Sequence, residues 1–114
     1  LVDEVLDNRA RLAALTGVEP TCFRAGTAHV DDVAVEICTR LGVRLVHFDV
    51  NADAGATFTP DEVRRALVGV RAGSIAIGHC NQPGSGTAAG VRRAIPELRD
   101  RGVRFARLSD ALAG

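Results

Sequence analysis

The 114-residue sequence has no Met, Trp, Tyr or Lys, and its only aromatic residues are four Phe. Lacking an initiator Met, it is expected to have lost a segment upstream of Leu1. All fourteen cations are Arg and are balanced by fourteen carboxylates, so no excess charge draws the chain to nucleic acid or anionic lipid. No apolar run approaches the roughly 20 residues needed to span a bilayer. Three cysteines (Cys22, Cys38 and Cys80) form no C-x-x-C pair, which argues against a zinc ribbon and a disulfide framework. No H-x-x-x-H spacing occurs, so a common arrangement of metal-binding histidines is missing. What remains, 46% hydrophobic and 25% charged, is the composition of one globular domain over 1–114 rather than of a disordered chain.

Helix and strand signals alternate along the chain. Val2, Val5, Leu6 and Leu12 make an apolar stripe over 1–15, with Gly17 placed to end a helix. The short segment 21–24 reads as a buried strand. Asp31 and Asp32 precede a helix carried by Val33, Ile37 and Leu41 and closed by Gly42. The β-branched-rich, almost uninterrupted run 43–50 reads as one strand covered on both faces. Thr59-Pro60-Asp61-Glu62 combines a capping box with proline at the first helical position. Another strand is expected over 74–78, and a helix over 87–101. Pro96 inside that helix should kink or end it, at a cost of about 3 kcal/mol in a regular interior. A last strand is expected over 103–108. This series of about four strand–helix units suits parallel crossovers. It fits either an open doubly wound sheet or part of a (β/α) barrel, since closing a filled barrel takes about eight strands.

In such folds the chemistry gathers at the carboxyl ends of the strands. Those ends offer Arg24 and His29, then Asp49, Asn51 and Asp53, then His79 and Asn81. A guanidinium at Arg24 suits either an ion pair with Asp49 or Asp53 or the bidentate orientation of a catalytic carboxylate. His79 closes an apolar strand and opens a Gly/Pro loop, a place for a general acid or base as much as for a structural histidine. His47 reads as a histidine satisfied inside a strand, and the cysteines as small buried residues, with Cys80 alone in a reactive position. Gly84-Ser85-Gly86-Thr87-Ala88-Ala89-Gly90 invites a phosphate-cradling reading. Its G-x-G-x-x-x-G spacing departs from the dinucleotide fingerprint, which favours a flexible loop ending in a Thr87 helix cap.

Taken in order, these segments resemble the later part of a polysaccharide deacetylase domain, the NodB-homology fold of carbohydrate esterase family four. Phe23-Arg24-Ala25-Gly26-Thr27-Ala28-His29 resembles the third motif of that family, and Val50-Asn51-Ala52-Asp53-Ala54-Gly55-Ala56-Thr57 the fourth. Gly73-Ser74-Ile75-Ala76-Ile77-Gly78-His79 resembles the fifth, and Arg101-Gly102-Val103-Arg104-Phe105-Ala106-Arg107-Leu108-Ser109 the closing strand. The resemblance implies a partial (β/α) barrel and the removal of N-acetyl groups from an amino-sugar polymer of the chitin or peptidoglycan type. It further implies His79 as the acid, Arg24 as the residue orienting a base, and Asp53, or else Asp49, as the holder of His79. Asp49, Asn51, His29 and Asn81 would contact substrate. A divalent, zinc-type metal belongs to the parent family, but the motifs that supply its ligands and the base are not in this sequence, and neither is the aromatic wall of the fourth motif. Low activity of the chain alone, self-association through the strand edges 21–24 and 103–108, and export from the cell are the corresponding expectations. The readings from other classes are a small doubly wound module binding a nucleotide or flavin and a non-catalytic carbohydrate-binding remnant.

Overall fold

The computed structural model describes residues 2–25 and 31–112, which fall into two compact units. The first comprises Leu1–His47 with Arg107–Gly114, the second Phe48–Ala106.

In the first unit, α1 (Val2–Thr16) ends at Gly17, whose φ of 75° is open to glycine and strained for other residues. Strand β1 (Cys22–Phe23) leads to α2 (Asp32–Arg40), and the Asp31 carboxylate accepts from the Ala34 amide at its start, as the sequence leads one to expect. Gly42, also left-handed, turns the chain into β2 (Arg44–Leu45), which pairs in parallel with β1, Cys22 opposite Arg44 and Phe23 opposite Leu45. Val5, Cys38 and Val43 form the core of this unit, with Phe23, Leu41 and Leu45 packed on it. A short helix (Leu108–Ala111) closes the unit, and the Arg44 guanidinium donates to the Leu112 carbonyl at 2.9 Å.

The second unit runs through β3 (Val50–Asn51), α3 (Pro60–Val68), β4 (Ala76–Ile77) and α4 (Thr87–Asp100). β3 and β4 are parallel, Val50 opposite Ala76 and Asn51 opposite Ile77, and the ladder is extended by Asp49 and Ala52 amides donating to Ile75 and Ile77 carbonyls. The capping box at α3 is complete: the Thr59 hydroxyl accepts from the Glu62 amide at 3.2 Å, and the Glu62 carboxylate accepts from the Thr59 amide at 2.9 Å. Val63, Ala94 and Leu98 are buried where α3 and α4 pack together. Gly90 permits that approach. A Cβ at Gly90 would overlap the Val63 side chain and lie 2.7 Å from the Pro60 carbonyl oxygen, and one at Gly86 would lie 2.6 Å from the Phe58 carbonyl oxygen.

Four expectations need correction. The run 43–50 is not one strand: β2 ends at Leu45 and β3 begins at Val50. Arg44, His47 and Asp49 interrupt the run and are exposed, and the segment carries the chain from one two-stranded sheet to another. His47, between them, is exposed rather than satisfied in a core. Pro96 is not a boundary: α4 runs on past it to Asp100. Residues 103–107 form no strand among the described residues. No neighbouring strand pairs with them, Phe105 is 56% exposed, and backbone alternation without a ladder does not hold an extended segment.

Candidate functional site

Parallel pairing of β3 with β4 sends Ala52-Asp53 and Gly78-His79 out of the same end of the sheet. Beyond β3 the chain turns at once. Ala54, Gly55 and Ala56 all have positive φ (48°, 71° and 67°), and the turn is tied by the Asn51 side chain accepting from the Ala54 amide and by the Thr57 hydroxyl donating to the Ala54 carbonyl. Two consecutive amides, Thr57 and Phe58, then donate to the Asp53 carbonyl. Two alanines in the left-handed region carry strain that glycine would not, of order 1–3 kcal/mol each. The result is a tight hook that points the Asp53 side chain inward, where its exposure is 0%.

A buried carboxylate needs donors, and Asp53 has them. Its Oδ2 accepts from the His79 amide at 2.7 Å and from the Thr87 hydroxyl at 2.9 Å, while Oδ1 lies 3.0 Å from His79 Nδ1. Burial alone would raise the carboxyl pKa. The His79 amide, the His79 ring, the Thr87 hydroxyl and the Ala56 amide together outweigh it and hold the group at about 2. Asp53 is therefore ionised at neutral pH, and an ionised carboxylate accepts only. Nδ1 of His79 must then carry the proton, which leaves Nε2 as the working nitrogen of the neutral ring. The His79 side chain is 44% exposed, and among the described residues none supplies a partner for Nε2. A half-exposed imidazole with a fixed tautomer, set against a fully buried anion, can exchange a proton with a bound molecule through Nε2.

The structure thus joins two of the three expected catalytic residues, Asp53 and His79. Arg24 belongs to the other unit, where it is exposed and its guanidinium donates to the Ala25 carbonyl at 2.9 Å. Asp49 is corrected in position. It precedes β3 and therefore lies at the amino end, its carboxylate occupied by the Ser74 hydroxyl (2.9 Å) and the Ile75 amide (2.6 Å), bonds that pull its pKa down. Asp53, not Asp49, holds His79. Asn51 serves the turn after β3, Asn81 is exposed in the loop after β4, and His29 lies outside the described residues. Of the cysteines, Cys38 is buried and Cys80 exposed.

Thr87 is the member of the site that sequence reasoning missed. It was expected to cap α4, but Gly86 occupies the cap and Thr87 is the first helical residue, with its hydroxyl turned to Asp53. No local signal marks that contact, because it spans 34 residues. The glycines flanking it also lose their phosphate reading. Gly86 and Gly90 are there because α3 and the segment before it leave no room for a side chain, and the nucleotide-binding alternative is not favoured.

No protein-family model matches the sequence, and no curated protein matches it significantly. Solved structures do. A family 4 carbohydrate esterase from Streptomyces lividans superposes with a TM-score of 0.87 at 18% identity, covering 97% of this chain and 57% of that one. The Bc1960 peptidoglycan N-acetylglucosamine deacetylase gives 0.86 at 20% identity, covering 96% and 52%. The peptidoglycan deacetylase PdaC from Bacillus subtilis gives 0.77 at 17% identity, again covering 96% and 52%. This chain accordingly has the α/β fold of family 4 carbohydrate esterases and peptidoglycan deacetylases, over a little more than half the length of the chains it matches.

Proposed function

We propose that the chain is the later portion of a NodB-type (β/α) barrel that removes N-acetyl groups from an amino-sugar polymer of the chitin or peptidoglycan type. The observation that carries this reading is the Asp53–His79 pair, built where two adjacent parallel strands end, in a chain with the fold of such deacetylases. Deacetylation adds water to the amide carbonyl carbon, breaks the C–N bond and releases acetate and an amine. The nitrogen leaves only after taking a proton. His79 donates it from Nε2, and Asp53 holds the Nδ1 proton throughout, so the ring passes between a cation and one neutral tautomer without reorienting. For Arg24 the reading keeps only what the third motif implies, the orienting of a carboxylate base, a group not among the residues bonded to it here. Asn81, exposed on the loop after β4, is on this reading a sugar contact, whereas Asn51 is held in the turn after β3 and Asp49 is committed to the opposite end of that strand.

Family 4 carbohydrate esterases are in general metal-dependent. The residues here do not fit a metal: among the described residues no three His, Cys, Asp or Glu side chains cluster closely enough to hold an ion. The described residues therefore account for the acid side of the site alone.

A combined binding and turnover experiment tests this. N-acetylglucosamine oligomers should raise the Tm of the chain in a concentration-dependent way, without acetate release, while dinucleotides and flavins leave it unchanged. Stabilisation by a dinucleotide would overturn the reading, and acetate release that a chelator stops would overturn the statement that the residues here do not fit a metal.

A further inference from the structure

His79 and Thr87 stand at the two ends of the loop that joins β4 to α4, and both bond to the same carboxylate. The loop is thereby closed over Asp53. Its Thr87 end is fixed independently of that bond: Gly86 and Gly90 press α4 so closely on Phe58, Pro60 and Val63 that its first turn has one seat. Thr87 is 8% exposed, and its oxygen lies 3.1 Å from the Ser85 hydroxyl, which can donate to it while Thr87 donates onward to Asp53. Ser85 also reaches the Gln82 carbonyl at 2.8 Å, a competing partner for the same proton.

The two oxygens of Asp53 are treated differently. Oδ2 takes the Thr87 hydroxyl and the His79 amide, and Oδ1 takes the His79 ring at 3.0 Å, compared with 3.3 Å from the ring to Oδ2. We propose that Thr87 is a positioning residue: its hydroxyl pins Oδ2, which turns the carboxylate so that Oδ1 grips Nδ1 of His79 and fixes the ring tautomer. This deepens the deacetylase reading and rests on it for its role in catalysis, but the geometric claim stands by itself. Without the hydroxyl the His79 amide alone holds Oδ2, so the carboxylate turns more freely about its Cβ–Cγ bond and loosens its grip on Nδ1, letting the imidazole sample its other tautomer. Among the described residues bonded to Asp53, His79 is the titratable one, so the two groups report on each other.

The test is an NMR titration of the full chain without sugar, comparing Thr87→Val, Thr87→Ser and the parent. Val keeps the shape and removes the hydroxyl; Ser keeps the hydroxyl and removes the methyl. In Thr87→Val the Asp53 carboxyl carbon should titrate higher by about half a pH unit to one, the worth of one hydrogen bond, and the His79 ring nitrogens should show mixed tautomers. Thr87→Ser should restore both signals even where it costs packing stability. Parent-like signals in Thr87→Val, or a Thr87→Ser variant that behaves like Thr87→Val, would overturn the proposal. Neither result depends on oligomer binding, so a failure here is separable from a failure of the deacetylase reading.

Discussion

Asp53 is fully buried and ionised at once, a combination sustained by the donors converging on it. That arrangement gives the protein an acid-sensitive point whose sign is fixed. The carboxyl is depressed from 3.8 to about 2 in the folded chain, so its contribution is complete above the unfolded value and disappears as pH falls through the folded one. Thermal unfolding from about pH 6 to about pH 2 should therefore show a loss of stability, between about pH 4 and about pH 2, that Asp53→Asn lacks. At neutral pH the same variant should be less stable by roughly 1–3 kcal/mol, because an amide cannot accept from every donor that surrounds the carboxylate. A parent and variant separated by a constant difference at all pH values would contradict this. Asp53 and His79 were legible in the sequence because strand ends in parallel sheets carry polar groups that the interior of a strand cannot. Asp49 misled as a substrate contact because a single strand over 43–50 sets it near the carboxyl end, whereas β3 begins at Val50 and leaves it at the amino end.

At the scale of elements, helices were read best where their signals are local. The Asp31 cap, the Thr59–Glu62 capping box and the glycines after α1 and α2 each involve residues within a turn of one another. Strand limits and the segment 103–107 depend on partners far along the chain, which patterning does not reveal. The loop 84–90 shows the difference most clearly, since its glycines answer to the packing of α4 against α3. Gly90→Ala should destabilise the chain by about 1–3 kcal/mol in urea unfolding, although alanine is the better helix former. The overlap with Val63 and the Pro60 carbonyl has no flexible side-chain end to yield. Unchanged or increased stability would show that α3 and α4 have room between them.

At the scale of the molecule, the sequence motifs and the structural likeness point to the same fold, reached from different observations. The motifs in their order suggested a NodB-type deacetylase, and the superpositions on esterase and peptidoglycan deacetylase structures give that fold over nearly the whole chain. What was not legible was the division into two units, each with a two-stranded parallel sheet. Such sheets have strand edges, and an edge with unpaired backbone is a template for another strand. Sedimentation should show association that grows with concentration, and a monomer at all concentrations would rule out edge pairing in solution.

The claim that matters most is that the imidazole gripped by Asp53 serves an N-acetylated sugar. It is tested most directly by following the ring resonances of His79 as an N-acetylglucosamine oligomer is added to the full chain, with Asp53→Asn in parallel. Nε2 should shift saturably, the Nδ1 proton should be retained in the parent, and that single-tautomer signature should be lost in the variant. A ring that does not respond to the oligomer while the sugar binds elsewhere on the chain would contradict it.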